Sequence, residues 1–99
     1  MTAETPIDLA SIVRASDHQV SSDLAGETVL LSLQTAKYFG LPGVGSRVWE
    51  LLRAPVRVSD ICAAITSEYD VTAERCEADT VSFLRQLLEK GLIEVQGGV

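Results

Sequence analysis

Between Thr28 and Leu33 the chain reads Thr-Val-Leu-Leu-Ser-Leu, a run of strand formers with a side-chain period of two. His18–Ser22 is a short partner for it, and Ala25-Gly26-Glu27 is the turn between them, so a hairpin is expected. Gln34-Thr35-Ala36 reads as a second tight connection. It leads into a third strand, Lys37–Leu41, whose Gly40 suits the close approach of another backbone. Alternation in the middle strand sends Val29, Leu31 and Leu33 to one face and Thr28, Leu30 and Ser32 to the other. The wholly apolar set is assigned to the core, which leaves Leu30 in need of a partner of its own.

After Pro42-Gly43, which ends the third strand, the apolar period changes from two to that of a helix. Val44, Val48, Leu51 and Leu52 recur on one stripe, widened by Trp49 and stopped at Ala54-Pro55. Ser59 reads as the N-cap of a second helix with Ile61, Cys62, Ile65 and Tyr69 on one face and Asp60 at its positive end, finishing near Asp70. Thr72 caps a third, Ala73–Lys90, with Glu74 in its first turn and Cys76, Phe83, Leu84, Leu87 and Leu88 on a broad apolar face. Gly91 stops it in a left-handed conformation that folds Leu92 back on Leu87. Leu92–Val95 is a short closing strand or wing before a loose Gly97-Gly98 tail.

Residues 1–17 follow no clear period and are read as an N-terminal arm, with Ile12 and Val13 either packing or adding a strand. The domain proper spans 18–96. The order of elements predicts an α+β fold of winged helix-turn-helix type, a three-stranded antiparallel sheet followed by three helices.

Charge narrows the function. The 99-residue chain has room for one domain and carries a formal charge of −6, which opposes binding to nucleic acid or an anionic membrane. The third helix, which a DNA-binding winged helix would use for recognition, holds Arg75, Arg85 and Lys90 against Glu74, Glu77, Asp79 and Glu89. No secretory or membrane-spanning pattern is present, so a cytoplasmic protein is expected. Cys62, Cys76 and the single histidine, His18, match no zinc spacing and are read as two reduced thiols and a surface imidazole. No motif pairs His18 with a nucleophile. Neither catalytic residues, a metal nor a cofactor is expected.

The stretch from Val29 to Leu52, with Tyr38-Phe39-Gly40-Leu41, Val44-Gly45 and Val48-Trp49-Glu50-Leu51-Leu52, resembles the PqqD-like family of precursor-peptide recognition elements; the likeness weakens from Ile61 to Ile93. A free-standing copy of this length is similar to the recognition proteins of lasso-peptide pathways. That resemblance implies a protein that binds a precursor's leader peptide as an added strand, against the third strand and in the groove beside the third helix. In lasso precursors the leader carries a tyrosine, two residues and a proline. Implied partners are a leader peptidase and a macrolactam cyclase acting on the same precursor. The pyrroloquinoline quinone branch of the family, which presents its precursor to a radical enzyme, is the alternative. A DNA-binding regulator and a structural subunit docking through its helices are the other classes.

On this reading the site comprises Lys37, Tyr38, Phe39, Gly40 and Leu41 from the strand edge, with Val81, Leu84 and Leu88 lining the groove by helical spacing. Lys37 and Arg85 would orient an acidic leader residue and Glu77 a basic one. Each has a plainer role to set against this. Phe39, Leu41, Leu84 and Leu88 also suit core packing, and Lys37 also suits a solvated charge that keeps an edge strand from aggregating. Trp49 is read as a core anchor.

Overall fold

The computed structural model describes residues 7–41 and 43–97. In chain order they form β1 (Ile12–Ala15), β2 (Gln19–Leu24), β3 (Glu27–Ser32), β4 (Tyr38–Leu41), α1 (Val44–Leu51), β5 (Val56–Arg57), α2 (Val58–Glu68), α3 (Ala73–Glu89) and β6 (Ile93–Gly97). The fold is α+β, as expected, but the strands divide between two antiparallel sheets: β2-β3-β4, and β5-β1-β6. The helices pack against both. Pro42, assigned above to the end of the third strand, and Gly98 of the tail lie outside the described residues, while Gly97 closes β6.

The predicted hairpin is β2-β3, closed by a two-residue loop in which both Ala25 (φ 53°) and Gly26 (φ 86°) are left-handed. Positive φ at both loop positions gives the turn a twist that matches the strands. The connection from β3 to β4 is a five-residue loop in which the Ala36 amide donates to the Ser32 carbonyl (2.8 Å) and the Ser32 amide to the Lys37 carbonyl (2.9 Å).

The buried face of β3 is the opposite of the one assigned from its polarity. Thr28, Leu30 and Ser32 are fully buried, Val29 and Leu31 are half-buried, and Leu33 is exposed. Hydroxyls can go inside when they are bonded. Here the Thr28 and Ser46 hydroxyls share a 2.6 Å hydrogen bond that ties β3 to α1, and Ser32 Oγ accepts from the Thr35 amide. Leu30 thus lies beneath the helices, and Val20, Leu24, Leu33 and Tyr38 are exposed large apolar groups.

The segment set apart as an arm belongs to the core from Ile7 onward. Ile7 and Val13 are buried, and β1 pairs with both β5 and β6, supported by an Arg14–Glu94 ion pair at 3.0 Å. This segment also moves the start of α2 from the Ser59 cap to Val58. The Val58 amide donates to the Ser11 carbonyl and the Ser59 amide to the Leu9 carbonyl, so free N–H groups of the first turn are satisfied by backbone from elsewhere. The closing segment is a strand, as one of its two readings had it, and it pairs with β1.

The third helix begins and ends as read. The Arg75 amide donates to Thr72 Oγ1 (3.2 Å). At the other end Gly91 has φ 72°, its amide donates to the Leu88 carbonyl, and the Leu92 amide donates to the Leu87 carbonyl. That bond pair is the Schellman arrangement, and it buries Leu87 and Leu92 together. Trp49, Leu52, Val58, Ile61, Leu84 and Ile93 complete the core.

Candidate functional site

Among the described residues, strand β4 has a neighbour on one side only. It pairs with β3 through Thr28↔Leu41, Val29↔Gly40, Leu30↔Phe39 and Leu31↔Tyr38, and it ends its sheet. Of the N-terminal segment, Ile12–Ala15 (β1) belongs to the other sheet.

Which backbone groups stay free follows from the loop. The Ser32 amide reaches the Lys37 carbonyl, so Lys37 turns its carbonyl toward β3. Antiparallel hydrogen bonding alternates along a strand, so Phe39 and Leu41 also bond inward, and Tyr38 and Gly40 direct their N–H and C=O groups out of the sheet. Two donors and two acceptors are available to a guest strand. Side chains alternate as well: Phe39 and Leu41 share the inner face with Leu30 and Thr28, while Tyr38 points the other way and is 72% exposed.

Beside this edge runs a groove of about 610 Å³ between β4 and α3, lined by Tyr38, Phe39, Gly40, Leu41, Gly45, Phe83, Gln86, Leu87 and Lys90. Lys90 Nζ stands 5.8 Å from the centre of the Phe39 ring, within cation–π range. Phe83 and Gly45 also border a more apolar hollow of about 500 Å³ among α1, α2 and α3, where Val44, Val48, Ile65, Tyr69 and Thr80 form the walls. Both recesses are bordered by Gly45 and by the Phe83 ring, which a Cβ on Gly45 would meet at 3.6 Å.

The structure brings Tyr38, Phe39, Gly40 and Leu41 together at this groove, with exposed Lys37 at its start. The helix residues named from sequence lie elsewhere. Leu84 is 0% exposed, inside the core, and Leu88 is half-buried against it. Glu77, Val81 and Arg85 line a separate hollow with Ile7, Asp8 and Leu9. At 3.6 residues per turn, that set and the set of Phe83, Gln86, Leu87 and Lys90 are roughly 160° apart around α3. The spacing of 83, 86, 87 and 90 was visible in the sequence. What it lacked was any mark of which flank of a broad apolar helix meets β4.

Elsewhere the polar groups serve the fold. Arg47 Nε and Nη2 donate to the two carboxylate oxygens of Glu68 at 2.8 Å each, joining α1 to α2, and Nη1 donates to Glu50. These bonds hold the Glu68 carboxyl below its usual range and the guanidinium above its own. Cys62 and Cys76 are free and buried, with the Cys76 thiol 3.7 Å from the Cys62 carbonyl oxygen, and burial pushes the Cys62 thiol up. His18 is exposed.

Among the described residues the sheet ends in a strand paired on one side, with a largely apolar groove along it, which is the geometry that strand addition requires. The chain belongs to the PqqD family: the family model described as coenzyme PQQ synthesis protein D (PqqD) matches residues 27–93. Among solved structures it is similar to TbiB1 in complex with the TbiA(beta) leader peptide, at 47% identity and a TM-score of 0.77, covering 82% of this chain and 94% of that one. No curated protein sequence matches it significantly.

Proposed function

We propose that this protein is a non-catalytic, cytoplasmic recognition protein of lasso-peptide maturation. It binds the leader of a ribosomally made precursor as a strand added to β4 and presents it to a leader peptidase and a macrolactam cyclase. The observation that carries this reading is the free outer edge of β4, with the Tyr38 and Gly40 backbone groups facing outward beside an apolar groove. The likeness to a protein captured with a leader peptide supports it.

The energetics require both edge and groove. Four backbone hydrogen bonds at a net ~0.5–1.5 kcal/mol each contribute about 2–6 kcal/mol, and ordering a flexible peptide offsets much of that. A micromolar complex needs about 8 kcal/mol. Burying one or two large apolar leader side chains, at about 1.5–3 kcal/mol each, closes the difference. The recess beside Phe39 and the hollow beyond Phe83 are where those side chains would sit.

Family membership lends weaker support to a second reading, a peptide chaperone of quinone cofactor synthesis using the same edge for a different precursor. Titrating the protein with labelled TbiA(beta) leader, with a quinone-pathway precursor and with duplex DNA at moderate salt separates the readings. Saturable binding of the first alone supports the proposal. Binding of the quinone precursor alone moves the protein to the second reading, and binding of DNA alone refutes both.

A further inference from the structure

The chain has only two lysines: Lys37 immediately precedes β4, and Lys90 lines the groove from the end of α3. Among the described residues Arg14, Arg47, Arg53 and Arg75 are ion-paired, whereas neither lysine is. The groove lining includes no carboxylate, on a protein whose formal charge is −6. Lys90 is held over Phe39, whose side chain lies on the inner face of β4. A strand added to β4 would run about 4.8 Å away, placing alternate side chains on that same face. The guest residue across from Phe39 would have its Cβ about 5 Å from that of Phe39, within reach of a flexible lysine stem.

We propose that Lys90 is a specificity-determining residue that favours leader peptides carrying an Asp or Glu side chain at the position beside Phe39. This inference rests on the strand-addition reading above. Lys90 also sits at the C-cap of α3, where a cation suits the helix dipole. That structural role alone would give the residue no preference among peptides, so the test must read specificity.

The test uses synthetic variants of the TbiA(beta) leader in which each residue in turn is replaced by Glu and by Lys. Their affinities are measured for the parent protein, Lys90→Glu and Lys90→Gln at low and moderate salt. At one peptide position the parent should bind the Glu variant about fivefold more tightly than the Lys variant. Lys90→Glu should reverse that preference, Lys90→Gln should erase it, and added salt should shrink it. If the unmodified leader binds but no position reverses with Lys90→Glu, the Lys90 assignment is wrong and strand addition stands. If neither the leader nor any variant binds the parent, the strand-addition reading fails and this inference with it.

Discussion

Replacing Gly40 by proline tests the direction of the free backbone groups most directly. The β3-β4 register puts the Gly40 amide on the outer edge, where β3 makes no use of it, and a Cβ at this position meets nothing within 4 Å. Proline is tolerated on an edge strand whose N–H faces solvent, and it lowers the entropy of the unfolded chain. The fold should therefore persist, with a melting midpoint within about 5 °C of the parent. A guest strand would lose the Gly40 donor and keep a buried carbonyl without a partner, at about 1–3 kcal/mol. Leader affinity should fall about 5- to 150-fold, read by fluorescence anisotropy of labelled TbiA(beta) leader. Phe39→Pro is the opposite case. It removes an inward amide bonded to Leu30 and the ring beneath Lys90, and should lower the midpoint by about 10–20 °C. Unchanged leader affinity in a folded Gly40→Pro protein would refute the assignment of outward groups.

Three further outcomes follow from the core, the helix end and the acid limb. Leu84→Ala should cost about 2–5 kcal/mol in urea unfolding, since the side chain is fully enclosed, and Leu84→Glu should not fold; a folded Leu84→Glu protein by circular dichroism would contradict its place in the core. Gly91→Ala forces a left-handed alanine whose Cβ falls 2.7 Å from the movable Gln34 Oε1, so thermal melting should drop by roughly 4–16 °C for a loss of about 1–2 kcal/mol. The carboxyl of Glu68 is depressed below its ordinary 4.5 by the Arg47 hydrogen bonds, so its contribution is present above that pH and fades as pH falls through the lowered value. The stability gap between parent and Glu68→Gln should accordingly narrow in acid, and a gap constant from pH 7 to pH 3 would dissociate the ion pair from stability.

Much of the molecule was legible because the signals are local. The strand run, the Thr72 cap and the Gly91 stop each depend on a few adjacent residues; the cap and the stop appear as read, and the strand read as Thr28–Leu33 spans Glu27–Ser32. The edge residues Tyr38–Leu41 were also legible, since a strand's existence needs no knowledge of its neighbours. The buried face of β3 was misread because polarity was taken as a guide to depth. The buried Thr28 hydroxyl finds its partners in Asp23 and in Ser46, eighteen residues on. The start of α2 was misplaced for a related reason: the carbonyls of Leu9 and Ser11 satisfy its first amides, and no property of residues 57–60 announces them.

By itself the chain determined the three helices, the β2-β3-β4 strands and where the third helix stops, and it showed that the last of those strands carries aromatic and glycine residues. Only the tertiary structure decided that this strand has no second neighbour among the described residues, that Phe83, Gln86, Leu87 and Lys90 are the helix residues facing it, and that Glu77, Val81 and Arg85 turn elsewhere. The physical reason is that secondary structure follows from interactions within a few residues, whereas the roll of a helix about its axis is set by packing. Both flanks of α3 have apolar residues, and only the fit of Leu84 and Leu87 into the core selects the flank that meets β4.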